Sequence, residues 1–145
     1  IKIMGFLFDI KYLEYLKKLV RELGVAKQVE IVPNASREKV LEALAKAKVI
    51  IHPAHHEPFG IAVVEGMAAG CIPIVRKGFN GPWIDIVEHG RYGYGFETVS
   101  ELIKNIKLAF SRHDELVPTI IDRANIFGEV AFKNNIINYI KRIAR

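Results

Sequence analysis

The sequence holds 145 residues, half of them apolar and 26% charged, which suits one globular domain with a buried core and excludes a disordered chain. The net charge of +5 comes from scattered basic residues with no dense Lys/Arg run, so anionic partners such as phosphates or acidic membrane surfaces are expected and nucleic acid is not. The single cysteine, Cys71, excludes an internal disulfide and favours a reducing, cytoplasmic setting, and no apolar run approaches the ~20 residues that cross a bilayer.

Short apolar runs alternate with segments of helical period. Residues 2–6 read as a buried strand, and 11–23 as a helix with Tyr12, Leu13, Leu16, Leu19, Val20 and Leu23 on one face, stopped by Gly24. Residues 29–32 are a second strand ended by Pro33-Asn34, and Ser36 is a suitable N-cap for a helix over 37–46. Residues 49–52 are a third strand closed by Pro53; a loop follows, then a helix near 62–69 stopped by Gly70. Residues 72–75 are a fourth strand, 78–82 and 90–95 are turn-rich loops, and 94–96 form a short closing strand. Helices are expected over 99–110, 117–127 and 132–143. The alternation predicts an α/β fold: one Rossmann-like parallel sheet with helices on both faces, with no domain boundary within 1–145. Ligands in such folds bind at the carboxyl ends of the strands.

The densest chemical signal begins where the third strand ends, at His52, and runs to Gly70. Its loop leads into a helix whose first amides have no partner within the helix, a setting that suits a phosphate. Gly60 lets the backbone approach a ligand, and Glu57 and Glu65, eight positions apart, present carboxylates from loop and helix to one cleft. A carboxylate accepts from pairs of sugar hydroxyls. The bland alternative for the pair is two surface carboxylates near a helix start, where Glu is favoured anyway. The cluster of His52, His55, His56 and Glu57 lacks the helical spacing of a zinc site and has no second cluster to join it, so no metal is expected. Cys71 reads as a small core residue, Arg76 and Lys77 as solvated bases, and Trp83 either packs the following turn or meets a partner domain.

Taken jointly, Glu57, Phe59, Gly60, Glu65, Met67, Ala68 and Gly70 resemble the Glu-x7-Glu signature of the large family of retaining glycosyltransferases, family 4, that includes sucrose synthase and bacterial-type glycogen synthases. Gly66 stands where that pattern has Ala. Asn80-Gly81-Pro82 with Asp85-Ile86-Val87 resembles the family's Gly-Gly-Pro segment, with Asn80 replacing the first Gly, and His89-Gly90, Gly93 and Gly95 resemble its next turn. Within the family the two segments look most like the dolichol-pathway α-1,2-mannosyltransferases, and the likeness runs from about Lys2 to Phe110.

The resemblance implies one half of a GT-B fold: a nucleotide-sugar-binding domain of a retaining hexosyltransferase, with mannose from GDP-mannose as the favoured donor and a UDP-sugar as the alternative. It implies that Glu57 is the catalytic-site carboxylate that contacts the donor sugar, with Phe59, Gly60 and Ile61 facing the sugar and diphosphate. Glu65 would hold the ribose, and Pro33, Asn34 and Ala35 would border the base. It further implies no metal and no cofactor, a cytoplasmic location at a membrane face, and a lipid-linked or saccharide acceptor held by a separate N-terminal domain. The family's donor domain opens with one more central strand and an Arg/Lys loop, so that strand is expected ahead of Ile1, and 1–145 alone is expected to be inactive. Two readings compete: a non-catalytic nucleotide- or partner-binding module of the same fold, and a nucleotide-sugar epimerase. A dinucleotide-binding dehydrogenase is disfavoured, because no Gly-x-Gly-x-x-Gly follows a strand.

Overall fold

The structure, a computed structural model, describes residues 1–144. It is α/β with parallel strands throughout, and it divides into two compact units, Ile1–Lys46 and the remainder from Ala47. The regular strand–helix alternation runs unbroken through Lys46 and by itself carries no sign of this division. It shows in the pairing: the strands make two ladders instead of the one sheet expected.

In the first unit, β1 (Lys2–Gly5) pairs in parallel with β2 (Glu30–Pro33), Lys2 opposite Glu30 and Gly5 opposite Pro33. Helix α1 (Ile10–Glu22) joins them, capped by Asp9, whose carboxylate accepts from the Lys11 amide at 2.7 Å. Gly24, at φ +69°, ends that helix in the left-handed conformation glycine adopts without cost. Helix α2 (Arg37–Lys46) follows Ser36, whose hydroxyl accepts from the Lys39 amide at 3.4 Å. No residue of 1–46 is buried; the apolar faces of both helices are exposed or half-buried.

The second unit holds the core. Its ladder runs β3 (Val49–His52), β4 (Ile72–Arg76), β5 (Tyr94–Phe96), with β4 central and buried from Ile72 through Val75. Helices α3 (Ile61–Ala68), α4 (Val99–Ser111) and α5 (His113–Asn125) supply Val63, Met67, Ala109, Ile120 and Ala124 to the cluster around Ile74. α6 (Glu129–Ile143) adds no buried residue. Gly66 sits where α3 meets β3: an added Cβ would lie 2.7 Å from the Ile50 side chain, so the glycine permits this close crossing. Among the described residues no helix is long and apolar enough to cross a membrane.

β1, expected to be buried, carries no buried residue, α6 begins at Glu129 rather than at 132, and two further elements depart from expectation. Helix α5 starts at His113 rather than near Val117 and holds Pro118 inside it, where the ring forfeits one backbone hydrogen bond and crowds the carbonyl four residues back. The loop expected to end at Pro82 leads into a π-helical turn, Pro82–Ile86, closed by the Val87 amide on the Pro82 carbonyl at 3.0 Å.

Candidate functional site

The loop between β3 and α3 carries Glu57 at the carboxyl end of the β3–β4–β5 ladder. It lies against the segment after β4. The Glu57 carbonyl accepts from the Gly81 amide at 2.9 Å, and the Glu57 amide donates to the Asn80 side-chain oxygen at 3.3 Å. Backbone packs on backbone here: a Cβ added to Gly81 would lie 2.0 Å from the Pro58 carbonyl oxygen. Gly60, at φ +99°, closes the loop, and its own added Cβ would meet the Pro82 ring at 2.7 Å. The close approach that Gly60 permits in this structure is therefore to Pro82.

The Glu57 side chain is half-buried. One carboxylate oxygen accepts from the Phe59 amide at 3.3 Å; the other lies 3.5 Å from Nε2 of His52, a buried nitrogen with no hydrogen-bond partner. The Phe59 amide is thus engaged by Glu57, and the Phe59 ring meets Phe127 edge-on at 5.5 Å. Ile61 is exposed at the first position of α3. Glu65 stands on the same helix, half-buried. Glu57, Phe59, Gly60, Ile61 and Glu65 all belong to the second unit, on one loop and the helix it leads into.

His55 and His56 are exposed at the tip of the loop. Arg76 completes β4, and Lys77 pairs with Glu101 at 3.1 Å instead of standing free in solvent. Trp83 packs the turn: its ring lies where a Cβ on Gly95 would fall at 2.3 Å, and it meets His89 edge-on at 5.5 Å. Cys71 is a core residue, as expected; burial pushes its thiol up to about 11, and its sulfur donates to the Ala47 carbonyl at 3.3 Å.

Pro33, Asn34 and Ala35 belong to the first unit. Asn34 adopts φ 51°, its amide donates to the Gly5 carbonyl at 2.8 Å, and its side-chain oxygen accepts from the Leu7 amide at 2.9 Å. It ties together the loops that leave β1 and β2.

Two residues of this region were missed in the sequence. Asn80, 2% exposed, donates to the Ala54 carbonyl at 2.8 Å and the Arg76 carbonyl at 3.3 Å as well as accepting from Glu57. Its one visible signal is that it departs from the family's glycine. Arg123 reaches from α5 to the carbonyls of Ile86 at 3.0 Å and Asp85 at 2.5 Å, pairs with Glu88 at 2.8 Å, and lies over the Tyr92 ring. Nothing in the pattern of α5 distinguishes that Arg from a solvated one.

Residues 1–124 match the family described as Glycosyl transferases group 1. The chain is similar to the GDP-Man:Man(3)GlcNAc(2)-PP-Dol alpha-1,2-mannosyltransferase of Dictyostelium discoideum, 36% identical over 92% of this chain and 27% of that protein. The protein of the same name from Caenorhabditis elegans is 28% identical over 93% of this chain and 30% of its own length. The chain thus spans under a third of these relatives. Among solved structures, sucrose-phosphate synthase from Thermosynechococcus elongatus shares the fold with a TM-score of 0.78 at 18% identity, covering 98% of this chain and 38% of that one. Anabaena HepE, in complex with UDP and glucose, does so at 0.77 and 21% identity, covering 97% of this chain and 40% of its own.

Proposed function

We propose a function on one premise: this chain belongs to the Glycosyl transferases group 1 family. It is the nucleotide-sugar-binding part of a retaining mannosyltransferase that takes mannose from GDP-mannose to a lipid-linked acceptor. The observation that carries the reading is the Glu57 loop, held by backbone bonds at the carboxyl end of β3 and leading into α3. The names of the similar mannosyltransferases supply the donor and the acceptor class.

In this reading the Glu57 carboxylate accepts from donor-sugar hydroxyls, and a sugar hydroxyl takes over the oxygen that now accepts from the Phe59 amide. That amide is then released toward the donor together with those of Gly60 and Ile61, and the start of α3 favours the diphosphate charge. Glu65 accepts from the two ribose hydroxyls. The departing diphosphate is stabilised by protein groups without a metal. The acceptor site and the remaining catalytic groups lie in a further domain of a longer protein, working at the cytoplasmic face of a membrane.

Calorimetric titration with GDP, UDP, GDP-mannose and UDP-glucose tests this. GDP and GDP-mannose are expected to bind, and Glu65→Ala to weaken both by about tenfold or more, as loss of a charged hydrogen-bond partner does. Preference for UDP-glucose would replace mannose as the cargo. Absence of binding by every nucleotide would overturn the reading and leave a partner-binding module of this fold.

A further inference from the structure

We propose that Asn80 is the positioning residue of the donor-sugar loop: its buried side-chain amide fixes Glu57 for the sugar. The inference rests on the donor-site reading above. The amide is oriented without ambiguity, because all of its partners are backbone groups of fixed polarity. Its oxygen accepts from the Glu57 N–H at 3.3 Å; its nitrogen donates to the carbonyls of Ala54 at 2.8 Å and Arg76 at 3.3 Å. It therefore grips the loop on both sides of the His55-His56 tip and anchors it to the last residue of β4.

Only an amide carries this set of one acceptor and two donors, and glutamine is one methylene longer. An aspartate turns both donors into acceptors against two carbonyl oxygens, a serine is too short to reach three groups, and a glycine offers nothing. The main chain of Asn80 works in the same direction: its carbonyl accepts from the amides of Trp83 at 3.0 Å and Ile84 at 3.1 Å, starting the turn that follows. At 2% exposure these bonds are shielded from water, which makes their loss costly. The neighbouring Gly81 amide holds the Glu57 carbonyl, so the Glu57 backbone is gripped on both its polar groups while its carboxylate stays half-buried.

The grip acts on the sugar-facing carboxylate and not on Glu65, which is fixed by α3. Loosening it therefore separates two affinities that a general loss of structure would not. The test is calorimetry of the protein with GDP and with GDP-mannose, for the unsubstituted chain, Asn80→Ala and the nearly isosteric Asn80→Asp, alongside amide hydrogen exchange at Glu57. The expected result is a Kd for GDP-mannose raised by about tenfold or more, with GDP changed by less than about twofold. Exchange at the Glu57 amide should quicken in Asn80→Ala and stay slow in Asn80→Asp, which keeps the acceptor. Equal weakening of both nucleotides, or unchanged binding of both, would overturn the proposal while leaving the donor site standing. Failure of the unsubstituted protein to bind either nucleotide would overturn the donor-site reading and this inference with it.

Discussion

The two units are built from the same local grammar and differ in what their apolar faces meet. In 1–46, α1 is strongly amphipathic, yet Tyr12 and Tyr15 remain 59% and 57% exposed. In the unit from Ala47, β4 is covered on both faces and Ile72, Ile74 and Val75 are 0% exposed. Parallel strands gain most of their stability from such double coverage, whereas exposed ion pairs such as Lys2–Glu30 contribute about 0–1 kcal/mol. Periodicity in a sequence tells which residues seek burial; it does not tell what buries them.

The largest effect that sharpens this contrast lies in the core. Ile74→Ala should lower unfolding free energy by about 2–5 kcal/mol, while Ile3→Ala, on a strand with no buried residue, should cost under about 1 kcal/mol. Urea midpoints at constant slope measure both, and equal losses would show the two strands to be equally covered in solution. Next comes Arg123→Ala, which strips the Asp85 and Ile86 carbonyls and Glu88 of their shared partner. A loss of about 2–3 kcal/mol is expected, seen as a lowered Tm, and Arg123→Lys should recover only part of it because one ammonium cannot reproduce the fork.

The smallest effect concerns acid. The Glu97 amide, and then Lys77, hold the Glu101 carboxyl below its ordinary value. The folded state therefore releases this proton more readily than the unfolded chain. The stabilisation is present above about pH 4.3 and is lost as pH falls below it. Glu101→Gln should flatten acid unfolding of the second unit in that window; an unchanged acid profile would remove Glu101 from the account.

Much of the fold was legible because its signals are local. β3, β4, β5 and α2 lie within a residue of where their apolar runs and caps put them, since strand and helix periods are properties of neighbours in sequence. Long-range effects were not legible. The split of the sheet, the π-helical turn at Pro82 and the clamp of Arg123 on residues 37 and 38 positions away depend on partners no window contains. The site divides the same way. Glu57, Gly60 and Glu65 stand out through fixed spacing on one short stretch. Asn80 does not, because its value lies in a contact with Glu57 across 23 residues. The engagement of the Phe59 amide by the carboxylate of Glu57 is likewise visible only once the loop has its shape.

The contact of Gly81 with Pro58 also limits how this molecule can change. With a Cβ on Gly81 placed 2.0 Å from that carbonyl, no side chain can be introduced there without moving the loop that bears Glu57. Because the obstacle is main chain, no change of side chain at position 58 relieves it, and glycine is required at 81 for as long as the loop keeps this shape. The freedom to diversify falls to the exposed tip at His55 and His56, which can take new side chains while the frame beneath it stays as it is.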